Sequence, residues 1–98
     1  MTFYEEPTNY EKTAISDLQG AWENLRGSVV EACPFPEWER LLFHIDDGMS
    51  WESMRKTLLL VQNIAARCEV PDAVTEWIGV VRKDLDTVLA AIADGKTA

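Results

Sequence analysis

The fold of this chain is decided by residues 50–95, which read SWESMRKTLLLVQNIAARCEVPDAVTEWIGVVRKDLDTVLAAIADG. This stretch contains two amphipathic segments joined by a short turn at Pro71. In both segments apolar residues recur every three or four positions, whereas in a half-buried strand they would occupy every second position. The apolar positions are Trp51, Met54, Leu58, Val61, Ala65 and Cys68 in the first segment, and Val74, Ile78, Val81, Leu85, Val88 and Ile92 in the second. The spacing predicts two long helices.

The ends of these two helices are also marked in the sequence. Ser50 is a favourable N-cap for a helix over residues 50–69, and Pro71 favours the start of the next helix, over residues 72–94. Gly95 is the predicted C-terminal cap of that second helix. Because so short a connection makes successive helices antiparallel neighbours, we expect a helical hairpin, with its first helix at the centre of the molecule.

Two further helices are predicted upstream of the hairpin. A capping box at Thr8-Asn9-Tyr10-Glu11 begins a helix over residues 9–33, and Pro34 ends it. A short helix over residues 36–47 follows, and Gly48 closes it. The apolar positions are Ile15, Leu18, Trp22, Leu25, Val29 and Ala32 in the first of these helices, and Trp38, Leu41, Leu42 and Ile45 in the second.

The predicted fold class is therefore all-α, a small four-helix bundle of up-down-up-down topology with a short second helix. Residues 1–7 are expected to form an N-terminal arm, residues 8–95 a single helical domain, and residues 96–98 a C-terminal tail. Gly20 and Gly27 lie opposite the apolar stripe of the first helix. Either another backbone approaches them closely, or they are tolerated weak positions in the helix, which is the interpretation we favour.

The charge of the chain restricts the choice of partners. Seventeen acidic residues against nine basic ones give a net charge of −8, which argues against direct contact with nucleic-acid phosphates and favours a basic protein surface. The alternative is that excess acid simply keeps a small domain soluble. No apolar run approaches the ~18 residues of a membrane span, and the N-terminus lacks the features of a signal peptide. We therefore expect a cytoplasmic protein that contacts neither nucleic acid nor membrane.

The residues that usually carry chemistry are few. His44 is the single histidine, and Cys33 and Cys68 are the two cysteines. Their spacing matches no zinc site, and no glycine-rich phosphate loop is present. The sequence therefore predicts no cofactor, no metal site and no catalytic residues, and enzyme activity is not expected. We expect the cysteines to be buried thiols; a disulfide between the two helix ends is the less favoured alternative.

One side of the predicted second helix combines an aromatic ring with acidic residues. Phe43 points away from the apolar side of this helix and lies among Glu39, Asp46 and Asp47. Such a ring can anchor a basic protein, while the carboxylates guide its approach. The alternative is that Phe43 packs under the first helix, since large aromatic residues are usually buried.

A second candidate contact lies on the predicted hairpin. Leu59 is on the polar side of the third helix and is the fifth candidate partner-binding residue, after Glu39, Phe43, Asp46 and Asp47. Val80 lies at the margin of the fourth helix. Because two-fold dimers are the commonest soluble assemblies, Leu59 and Val80 could form the patch of a homodimer.

In size and acidity the chain resembles the small acidic proteins with which phages block bacterial defence enzymes, anti-CRISPR proteins among them. The resemblance is one of size and charge, with no shared motif. It implies a non-enzymatic inhibitor that covers a basic, nucleic-acid-handling surface of a larger effector. The alternatives are an immunity protein that neutralises a toxin, and a structural or regulatory helical homodimer.

Overall fold

The computed structural model describes the backbone of residues 9–97 and the side chains of residues 12–50 and 52–93. The described residues form four α-helices and no strand: α1 (Asn9–Ala32), α2 (Trp38–Asp47), α3 (Trp51–Arg67) and α4 (Asp72–Thr97). The predicted all-α bundle of four helices with a short second member is confirmed. The predicted arm over residues 1–7 and the side chains of Thr8 and Glu11, which form the predicted capping box, lie outside what the structure describes.

Several helix ends differ from the prediction. α1 ends at Ala32 rather than at residue 33, and α3 spans Trp51–Arg67 rather than residues 50–69. α4 continues through Gly95 to Thr97, so the predicted cap at Gly95 is wrong. A glycine that ends a helix usually does so by adopting a left-handed φ, and none of the glycines whose backbone is described has a positive φ. The start of α2 also differs. This helix begins at Trp38 rather than at residue 36, because Glu37 adopts the left-handed conformation, with φ 68°.

The connection from α2 to α3 contains only Gly48, Met49 and Ser50. The N–H of Gly48 donates to the carbonyl oxygens of His44 (3.1 Å) and Ile45 (3.3 Å), which confirms Gly48 as the cap of α2. The carbonyl oxygen of Ser50 accepts hydrogen bonds from the first turn of α3. The Ser50 hydroxyl donates to the carboxylate of Glu52 (2.6 Å), and its oxygen accepts no hydrogen bond from a backbone N–H of α3.

α1, and not α3, is the central helix of the bundle. It packs most extensively against α4 and also contacts both α2 and α3. Asp17 lines one groove with Asp84, and Glu31 lines another with Ala73, so α1 and α4 run antiparallel. The expectation that the third helix is central is therefore wrong. The physical reason is length: α1 and α4 have 24 and 26 residues against 17 for α3, so they can bury longer apolar stripes against each other.

The core lies where the predicted apolar stripes meet. Its largest fully buried side chains are Leu18, Trp22, Leu25 and Val29 of α1, Leu41 and Ile45 of α2, Met54 and Val61 of α3, and Val74, Val81 and Val88 of α4. Cys33 and Cys68 are free thiols, and both are half-buried rather than buried. The thiol of Cys33 donates to the carbonyl oxygen of Val30 (3.1 Å).

Candidate protein-binding face

The orientation of α2 is fixed from its inner side. Leu41 and Ile45 are completely buried, one turn apart, and the indole Nε1 of Trp22 donates to the carbonyl oxygen of Ile45 (2.9 Å). This hydrogen bond joins α2 to the central helix at a point that water does not reach. Because residues three and four apart share one face of a helix, burying the Leu41 side requires that Phe43 point outwards.

Phe43 is the most exposed large apolar residue of the described part of the chain, with 67% of its surface accessible. The alternative that Phe43 packs under the first helix is therefore wrong. Its one aromatic contact among the described residues is with the neighbouring ring of His44, edge to face, with ring centroids 5.5 Å apart. The ring of Phe43 is thus free to be buried by a partner.

Three exposed acidic side chains surround Phe43 on α2, and they differ in their pairing. Asp46 is bound by Arg26 of α1, whose Nε lies 2.6 Å from Oδ1 of Asp46. This hydrogen bond and the charge of Asp46 raise the pKa of Arg26. Glu39 and Asp47 form no ion pair with any described residue. We call Glu39, Phe43, Asp46 and Asp47 the binding face.

Asp47 is unfavourably placed for the stability of its own helix. It ends α2, where the partial negative charge of the helix dipole opposes a carboxylate, and no described cation offsets it. Asp47→Asn is therefore expected to raise the free energy of unfolding by about 0.3–1 kcal/mol, measured by urea unfolding at low ionic strength.

The matched control for this prediction is Glu39→Gln, because Glu39 is in the first turn of the same helix. There the helix dipole favours the negative charge, so neutralising it is expected to leave stability unchanged or to lower it. Equal stabilisation at the two positions would show that overall charge, and not the position of Asp47 in α2, is responsible.

Leu59, the fifth predicted contact, does not belong to the binding face. It is 59% exposed and lines a groove between α3 and α4 together with Arg55 and Arg82. Val80 lines a different groove, between α1 and α4. The two residues thus lie on opposite flanks of α4, and they do not form the single patch that the homodimer hypothesis requires.

Sequence reasoning missed two features of the surface near α2. The first is the ion pair of Asp46, since Arg26 is 20 residues away in the chain. The second is a groove between α2 and α3 that contains Arg40 and Arg67. The helical spacing of Leu60, Ile64 and Arg67 indicates one wall of this groove, but only the packing of α2 supplies the other.

The described part of the chain contains no group of three or more histidine, cysteine, aspartate or glutamate residues placed to hold a metal ion. No helix in it has an apolar stretch of the length needed to cross a membrane. Comparison of the chain with protein-family models, curated proteins and solved structures gives no match.

Proposed function

We propose that the protein is a non-enzymatic, cytoplasmic inhibitor that binds a basic, nucleic-acid-handling surface of a larger effector through the binding face of α2. The observation that carries this proposal is the exposure of Phe43, at 67%, between the carboxylates of Glu39, Asp46 and Asp47. An exposed aromatic ring with acids on both sides is the arrangement expected of a contact with a cationic protein.

The ring of Phe43 would supply most of the affinity. Burying a phenylalanine side chain that was exposed contributes about 1.5–3 kcal/mol, and interface energy is usually concentrated in a few such anchors. The lysine and arginine side chains that line nucleic-acid-binding surfaces can also pack their cationic groups against an aromatic ring. The proposed partner therefore matches both the ring and the charge around it.

The carboxylates would raise the rate of association and select for a basic partner surface. A protein with a net charge of −8 is attracted to a basic surface over a distance set by ionic strength, and this attraction raises the association rate. Arg26 holds Asp46 in one position, so less side-chain freedom is lost on binding there, whereas Glu39 and Asp47 keep unpaired charges for a partner. Because nucleic acid uses the same basic surface, the two ligands would exclude each other.

The proposal is tested with the full chain as bait in an extract of its source cell, followed by titration of the purified partner. We expect a basic nucleic-acid-binding enzyme, from which a short duplex DNA displaces the protein in fluorescence anisotropy. Phe43→Ala is expected to weaken binding at least tenfold. Raising the salt concentration from about 0.1 M to about 1 M shortens the Debye length from ~10 Å to ~3 Å, and should by itself weaken binding of the unmodified protein.

A matched pair of charge reversals separates the binding face from overall charge. Asp47→Lys and Glu76→Lys change the net charge equally, but Glu76 is exposed on α4, away from the binding face. Only Asp47→Lys should slow association markedly. Salt-independent binding, equal effects of the two reversals, or full affinity after Phe43→Ala would each contradict the proposal.

A further inference from the structure

A groove of about 420 Å³ separates the outer edges of α2 and α3. One wall is formed by Arg40 and His44 of α2 with Glu37 just before this helix, and the other by Leu60, Asn63, Ile64 and Arg67 of α3 with Cys68 just after it. We call this the arginine groove. Its volume is within the range of about 300–1,000 Å³ that is typical of pockets for small molecules.

The α3 wall of the arginine groove contains an apolar strip. Leu60 and Ile64 are one helical turn apart on α3, and Cys68, the residue directly after α3, also lines the groove, so these side chains form an apolar strip. Ile64 is almost completely buried, whereas Leu60 is 41% exposed. Leu60 faces this open groove. An apolar ligand would cover it.

The charge of the arginine groove is opposite to that of the chain. Arg40 and Arg67 line it together with the single carboxylate of Glu37. Glu37 is a weak partner for Arg40, because the Oε2–Nη1 distance of 3.8 Å exceeds hydrogen-bond length. Arg67 forms neither an ion pair nor a side-chain hydrogen bond with any described residue. Two guanidinium groups therefore keep donors that are available to a ligand.

We propose that the arginine groove binds an organic carboxylate with an apolar stem. A guanidinium fork matches the two oxygens of a carboxylate, and the apolar strip of Leu60 and Ile64 can hold the stem. The two arginines and one glutamate together give the groove a single excess positive charge. One carboxylate balances that charge, whereas a doubly charged phosphate would leave an excess negative charge on a protein that is already acidic.

Two sources can supply this chemistry: a free fatty or aromatic acid, and the C-terminal carboxylate of a peptide that ends in an apolar residue. The same groove contacts recognise both. The arginine groove shares no lining residue with the binding face.

The test is a titration of the full chain followed by amide NMR, with sodium octanoate as the free acid. A short peptide ending in leucine, with a free or an amidated C-terminus, represents the second source. We expect shifts concentrated at residues 37–44 and 60–68. Binding of octanoate but not of the free peptide assigns the small-molecule source, and the reverse assigns the peptide. Absence of binding by both would overturn the proposal.

Variants of three charged residues sharpen the test. Arg67→Gln should weaken binding about tenfold, the effect of losing one charge-assisted hydrogen bond. Glu37→Gln should strengthen it, because a competing carboxylate is removed. Arg55→Gln changes the net charge as Arg67→Gln does, but Arg55 lies in the groove between α3 and α4, so affinity should not change. Equal weakening by both arginine variants, or equal shifts with uncharged octanol, would overturn the proposal.

Discussion

Replacing Trp22 by alanine is expected to lower the free energy of unfolding by about 3–5 kcal/mol. Trp22 has no exposed surface, and its indole N–H donates to the carbonyl oxygen of Ile45 at 2.9 Å. The substitution removes the largest fully buried side chain of the described core and the hydrogen bond that joins α1 to α2. Because domains of this size are stable by only about 5–15 kcal/mol, urea unfolding followed by circular dichroism should show a much lower midpoint.

Two variants separate the packing of Trp22 from its hydrogen bond. Trp22→Phe keeps an aromatic ring, and the carbonyl oxygen of Ile45 still accepts from the N–H of Gly48 at 3.3 Å, so a loss of only about 1–2 kcal/mol is expected. Trp77→Ala removes a tryptophan that is only half-buried and should also cost less than Trp22→Ala. Equal losses of unfolding free energy in Trp22→Ala and Trp77→Ala would contradict the difference in burial between these two side chains.

The second large effect is expected at Gly48, where alanine should lower the free energy of unfolding by about 1–3 kcal/mol. The φ of Gly48 is −105°, which alanine can adopt, so the cause is steric and not conformational. A Cβ atom here would lie 2.6 Å from Oγ1 and 2.7 Å from Cβ of Thr57. The backbone of α3 fixes the Cβ of Thr57, so the connection between α2 and α3 would have to move. Urea unfolding of Gly48→Ala measures the cost.

Gly20 and Gly27 are the controls for Gly48, because a Cβ at either position would have no described atom within 4 Å apart from its chain neighbours and the backbone of its own helix. Both lie in exposed positions of α1, where alanine is expected to raise the free energy of unfolding by about 0.5–1 kcal/mol. The absence of a close neighbour among the described residues agrees with the interpretation that these glycines are tolerated weak positions. Destabilisation by Gly27→Ala would instead indicate a close approach.

Both large effects act on the helix that carries the binding face. Trp22 holds the inner side of α2 through Ile45, and Gly48 sets the close approach of α2 to α3. Neither residue is exposed to a partner. We therefore expect Trp22→Phe to retain partner binding as long as it remains folded, whereas Phe43→Ala should retain stability and lose binding. This contrast distinguishes residues that support the face from residues that form it.

The sequence by itself determined the secondary structure of this protein. Apolar residues at intervals of three and four gave the four helices, and the prolines and Gly48 separated them, because these signals act through the backbone of neighbouring residues. Helical periodicity also indicated that Phe43 lies opposite Leu41 and Ile45. The prediction that Gly95 caps α4 was wrong, because α4 continues through it. Glycine disfavours a helix by only about 1 kcal/mol.

Only the tertiary structure decided which helix lies beside which face. Periodicity defines the apolar side of a helix but not its neighbour, so α1 as the central helix, the exposure of Phe43 and the separation of Leu59 from Val80 followed from packing. The same holds for the pairing of Asp46 with Arg26 and for the arginine groove. Each of these joins residues on different helices, and such contacts depend on the arrangement of the whole bundle rather than on local spacing.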